Sequence, residues 1–161
     1  MWIEFDKLPE HSRVWIYQSD RHIDENVADE LEVFMKSFIE NWEAHGNPLK
    51  GSARILYNRF LVIGLDESFN QVTGCSTDAS VHAVKQAGVR FNIDFFNRTQ
   101  LPFLVDEKVE VLPLDQVRKR QVPEHLSLDT LTFDNLVNEK GQLESAWKKP
   151  VSDTWLSKYL A

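Results

Sequence analysis

Leu61-Val62-Ile63-Gly64-Leu65 is the segment that most limits how this chain folds. It has no polar side chain, with Asn58-Arg59 before it and Asp66-Glu67-Ser68 after it. A short, nearly continuous apolar run between turn residues predicts a strand covered on both faces or central in its sheet. Such a strand needs ample core around it, and 42% of the chain is hydrophobic, with five Trp and ten Phe. At 161 residues the chain fits a single domain over 1–161. A domain of that size can bury about two-thirds of its unfolded surface without disulfides or a structural metal.

Other elements follow from spacing. Trp2, Ile3, Phe5 and Leu8, with Pro9 behind them, read as an extended arm, and Val14-Trp15-Ile16-Tyr17 as a first strand. Val27, Leu31, Phe34, Phe38 and Trp42 recur at helical spacing, predicting a helix over 24–45 with Asp24 as N-cap and Gly46-Asn47-Pro48 as its stop. Residues 53–57 and 60–65 predict two strands, joined through Asn58-Arg59 as a hairpin or forming one bent strand. A second helix is expected from Ser76-Thr77-Asp78 to about Phe91, with Val81, Val84, Gly88 and Phe91 inward. Gly88 either weakens that helix or marks close packing.

Leu101–Val105 and Val109–Leu112 are further strand candidates, Pro102 confining the former to an edge or to its first residues. Pro113-Leu114-Asp115 opens a short helix, and the tail beyond Pro123 reads as short helical pieces. The order strand, helix, strand, strand, helix, strand over 13–105 predicts an α+β fold of two layers. It implies a split βαβ-like core, a largely antiparallel or mixed sheet with helices mainly on one face, and a C-terminal helical extension over 123–161.

The net charge of −7 opposes phosphate backbones and anionic lipid, so no nucleic-acid or membrane partner is expected. Arg118-Lys119-Arg120 is the one basic run and reads as a solvated helix end. A single Cys rules out an internal disulfide framework and fits a reducing compartment. With no leader-like start and no apolar run of about 18 residues, the expected location is cytoplasmic.

Ionisable residues gather where the apolar strand ends and the second helix begins. Cys75 precedes a helix start, where unpaired N–H groups favour a thiolate. At about 100° per residue Cys75, Asp78 and His82 share one helix flank, so a nucleophile reading gives His82 the thiol proton and Asp78 the task of orienting the ring. Against it, an offset of seven residues spans about 10 Å of rise, too far for a direct thiol–imidazole hydrogen bond. The simpler alternative is a partly buried Cys beside a surface Asp–His pair. A zinc site joining Cys75 and His82 to Asp66 or His45 lacks paired ligand spacing, so no metal is expected. Asp66 and Glu67 are adjacent on a strand and point to opposite faces, reading as a turn cap or as partners of Arg59 or Arg54; a divalent-cation site is the third use for them. His45 reads as a cation at a helix C-terminus. No phosphate-binding glycine loop and no GxSxG elbow is present.

The segments WEAHGNPL (42–49), YNRFLVIGLDES (57–68) and GCSTDASVHAVK (74–85) resemble a family of uncharacterised bacterial proteins of similar length. Some members of that family carry an ABC-transporter ATPase label. A nucleotide-binding subunit requires the phosphate loop that this chain lacks. The resemblance implies no assigned catalytic residues.

The function expected from the sequence is therefore a soluble, cytoplasmic, non-catalytic binding or interaction domain without a cofactor. Its ligand, a small molecule or a protein, would sit in a groove between residues 66 and 76, held by Asp66, Glu67, Arg59, Ser76 and His45. A homodimer would form through the C-terminal region, where Trp155, Leu156 and Tyr159 cluster. The alternative is a small thiol-dependent enzyme using Cys75, His82 and Asp78.

Overall fold

The computed structural model describes residues 1–160. In chain order the elements are β1 (Arg13–Gln18), α1 (Glu25–Glu40), a short hairpin of β2 (Glu43–Ala44) and β3 (Asn47–Pro48), β4 (Gly51–Leu56), β5 (Phe60–Leu65) and α2 (Gly74–Phe91). They continue with β6 (Gln100–Val105), β7 (Lys108–Pro113), α3 (Leu114–Arg118), β8 (Leu131–Phe133), α4 (Gln142–Ser145), β9 (Lys148–Pro150) and α5 (Ser157–Leu160). The fold is α+β with antiparallel sheets, one ordered β1-β5-β4 and a larger one ordered β7-β6-β8-β9. No helix among the described residues is long and apolar enough to cross a membrane.

β5 pairs antiparallel with β1 on one side and β4 on the other. β1 and β4 thus run parallel with β5 between them, the arrangement of a split βαβ unit crossed over by α1. All six residues of β5 are buried, and alternation divides them between two cores. Leu61, Ile63 and Leu65 face Leu31, Met35 and Ile39 of α1 and Ala83, Val84 and Ala87 of α2. Phe60 and Val62 face the other way, toward Phe5, Leu8, Phe133, Val137 and Trp147. Gly64 lies on this second side, where a Cβ would come 2.6 Å from Leu8 Cδ1. An unbroken apolar run is the pattern expected of a strand with a core on each face.

The strand expected to complete this sheet, 101–105, joins the second sheet instead. The free side of β1 is covered by the C-terminal chain, with the Val14 N–H donating to the Asn138 carbonyl at 2.9 Å and Arg13 bridging to Glu139. β6 is consequently an interior strand, with Pro102 inside it. The β6–β8 ladder pairs only Phe103 and Leu104, stopping one residue short of Pro102, which has no N–H to give. Thr132 Oγ1 instead donates to the Pro102 carbonyl at 2.7 Å. The other face of this sheet packs Phe103 on Val117, Leu126, Val151 and Leu156, which gives α3 and the chain end their own core. The tail beyond Pro123, read as short helical pieces, contains α4 and α5 and in addition β8 and β9.

Boundaries shift where cap chemistry was ambiguous. α1 stops at Glu40, so Trp42 and His45 lie outside it, and its most buried stripe is Ala28, Leu31, Met35 and Ile39, with Val27, Phe34 and Phe38 flanking. α2 starts at Gly74, capped by Thr73 in a capping box with Ser76. The hairpin between β4 and β5 turns at Tyr57-Asn58, both in the left-handed region (φ 54° and 51°), one residue earlier than Asn58-Arg59. Gly88 marks close packing, because a Cβ there would meet the Ile93 carbonyl oxygen at 2.6 Å.

Gly88→Ala should therefore destabilise the protein by about 1–3 kcal/mol, the overpacking cost exceeding the helix-propensity gain of about 1 kcal/mol. Urea unfolding with an unchanged m-value measures it. A rise in stability would contradict this packing.

Candidate functional site

The sequence-predicted residues do not form one pocket. Cys75 is exposed in the first turn of α2, and His82, also exposed, lies two turns further along the helix, beyond hydrogen-bonding reach. Asp78 is exposed between them. Ser76 is buried, its hydroxyl engaged with Thr73 at the helix start, and its carbonyl accepts from Trp42 Nε1 at 2.9 Å. That hydroxyl is spent on capping and is not offered to a ligand.

Asp66 is also buried, its carboxylate accepting from the N–H and hydroxyl of Ser68, which closes the turn after β5. Glu67 lies 3.7 Å from Arg13. Arg59 stands at the opposite end of β5, about 20 Å away at strand rise, donating to the Ser19 carbonyl at 3.2 Å. Burial pushes its pKa down, partly offset by Asp20. Arg54 pairs with Asp6 at 2.8 Å. His45 occupies the β2–β3 turn with Gly46, both at positive φ, rather than a helix end. No group of three or more potential metal ligands occurs among the described residues.

A different set of residues does converge. Between the β4–β5 hairpin, the N-terminal arm and the C-terminal segment lies a cleft of about 800 Å³. Its apolar lining is Phe5, Leu56, Tyr57, Leu143 and Trp147, and its charged lining includes Arg54, Lys140 and Lys148 with Asp6, Glu10 and Glu144. Local folding fixes this arrangement. The turn that reverses β4 into β5 holds Tyr57 at φ 54°, a conformation costing a non-glycine residue about 1 kcal/mol or more. Packing holds it there, since the Tyr57 ring lies edge-on to Phe133 at 5.4 Å and against Trp147 at 5.8 Å. Asn58 anchors the same turn by donating to the Ile23 carbonyl at 2.9 Å. β8 and β9 place Phe133 opposite Lys148, so one cross-strand pair supplies both the packing partner and the cation that meet Tyr57.

Lys148 Nζ donates to the Tyr57 hydroxyl oxygen at 2.8 Å and lies 5.4 Å from the ring centre. The hydrogen bond to Tyr57 holds the Lys148 pKa above the ordinary lysine value, opposed by partial burial and helped by Tyr57, Glu107 and Glu144. Because the folded value is the higher one, this contact contributes fully below the unfolded lysine pKa and fades only as pH rises through the raised value. At neutral pH Lys148 is thus a cation and donor, not an amine nucleophile. The other two cations are committed. Arg54 is held protonated by its hydrogen bond to Asp6, whose carboxyl is in turn pulled below its usual range by Arg54. Lys140 donates to the carbonyls of Leu8 at 2.7 Å and Asp6 at 3.2 Å, with Glu10 at 3.7 Å.

Two further concavities flank α2. One of about 750 Å³ runs along Phe34, Phe38 and Arg90, and one of about 380 Å³ lies by Lys85, Asp94 and Phe96. None of the three cavities is lined by Cys75, His82, Asp78, Asp66, Glu67, Arg59, Ser76 or His45. Tyr57 and Lys148 were missed because 91 residues separate them, and no spacing rule links a hairpin turn to a distant Trp-Lys-Lys segment.

Since Cys75 is exposed, the folded protein should react fully with iodoacetamide without denaturant, and Cys75→Ala should change stability by less than about 0.5 kcal/mol. Labelling only after denaturation would contradict that placement. In comparisons with known proteins, no family model, curated protein or solved structure matches this chain.

Proposed function

We propose that this chain is a soluble cytoplasmic binding domain, without catalysis of its own, that holds a small organic ligand in the cleft between the β4–β5 hairpin and the C-terminal segment. The observation that carries this reading is the Tyr57–Lys148 contact over an aromatic base in a cleft of about 800 Å³. The cleft's volume falls within the range of about 300–1,000 Å³ typical of ligand pockets, and its lining is richer in charge than most, with Arg54, Lys140 and Lys148 facing Asp6, Glu10 and Glu144. The groove first expected between residues 66 and 76 has less in its favour, its polar groups being satisfied by their own turn and cap. A thiol-dependent reaction likewise draws little support from a Cys75 that lies two helical turns from His82.

Heteronuclear NMR screening with a library of small acids, bases and neutral aromatics tests this. Hits should shift the Trp147 indole and the Leu56 and Leu143 methyls most strongly. Hits that perturb only the α1–α2 face, or turnover of a substrate that is lost in Cys75→Ala, would overturn the reading.

A further inference from the structure

Resting on the reading of the cleft as a ligand site, we infer that its ligand carries a carboxylate, bound in the notch between Lys148 Nζ and the Tyr57 hydroxyl, with an apolar body lying along Tyr57, Leu56 and Leu143. An ammonium has three donors, and Lys148 uses one of them on Tyr57. The phenol accepts that bond and keeps its own hydrogen to give. The two donor atoms stand 2.8 Å apart, close enough for the two oxygens of a single carboxylate to take one hydrogen from each.

Charge narrows the class. Of the three cations lining the cleft, Arg54 is paired with Asp6 and Lys140 with two carbonyls and Glu10, which leaves Lys148 with no carboxylate within 4.0 Å among the described residues. Glu107 and Glu144 act on Lys148 only from beyond 4.0 Å, so it is the cation of the three whose remaining donors are open to a monoanion. A phosphate dianion would bring a second negative charge beside Asp6, Glu10 and Glu144 with nothing to meet it. Leu56, Tyr57 and Leu143 offer apolar area on which a hydrocarbon body attached to the carboxylate can lie.

The test is calorimetric and NMR titration of the full chain with a matched set of probes: 2-naphthoate, 2-naphthamide and 2-naphthyl phosphate, followed by phenylpropionate and its amide. Carboxylates should bind about 10-fold or more tighter than the amides. Lys148→Met should bring the two to parity, Lys148→Arg should retain most of the preference, and Tyr57→Phe should cost a smaller factor of about 3–10. Unchanged melting temperature in each variant shows that the fold is kept. Amides binding in the cleft as well as carboxylates, or the phosphate binding tighter than both, would sink the carboxylate assignment and leave the cleft as a ligand site. No probe of either charge shifting the Trp147 indole would overturn both.

Discussion

Two-sided burial of β5 is the constraint from which the rest of the molecule follows. A strand whose six residues are all buried needs a separate apolar surface for each face, and no single element can supply both. One surface comes from nearby in sequence, through α1 and α2. The other comes from the two ends of the chain, Phe5 and Leu8 at the start and Phe133, Val137 and Trp147 near the finish. Phe60 meets Phe133 at 4.8 Å and Trp147 at 4.9 Å, and these two rings meet each other at 4.9 Å. Each such contact adds about 0.5–1.5 kcal/mol beyond simple burial. The termini are thus part of the core rather than appendages to it.

The cleft is a by-product of that closure. Bringing the C-terminal segment over the second face of β5 leaves a gap at the hairpin end of β4 and β5, where a strained tyrosine and a lysine from β9 face each other. Partly buried polar links tie the same region together, with Trp147 Nε1 donating to Asn135 Oδ1 at 2.8 Å and Asn135 Nδ2 to Gln18 Oε1 at 3.2 Å. Gln18 in turn reaches the Gln100 carbonyl at 3.1 Å, joining β1 to the start of β6. The site therefore sits on groups whose positions are set by the core, which is the arrangement that lowers the ordering cost of binding.

Much of the fold was legible because it is local. The apolar run 61–65, the Val14–Tyr17 strand, the periodic stripe that became α1 and the split βαβ order all rest on spacing within one element or between neighbours. The misplaced strand had a non-local cause. Leu101–Val105 reads as the fourth strand of the first sheet, yet Asn138 and Glu139 occupy the edge it would have taken. Thr73 outcompeted Ser76-Thr77-Asp78 as the cap because a reciprocal box with Ser76 was available three residues on. The candidate site was least legible of all. Asp66, Ser76 and Cys75 stand out in sequence because they flank element ends, which is also why Asp66 and Ser76 are consumed by turn and cap bonds. Tyr57 and Lys148 look ordinary alone and acquire meaning only once β8 and β9 bring them together.

Native-state hydrogen exchange probes the two-sided burial of β5 most directly, by asking whether the C-terminal segment opens with it. The amides of Leu61–Leu65 and those of Thr132 and Phe133 should share one opening free energy and one denaturant dependence, that of global unfolding. Opening of residues 123–160 several kcal/mol below that of β5, with the strand still protected, would mean that its second face does not need the tail, and the structural basis of the cleft would fall with it.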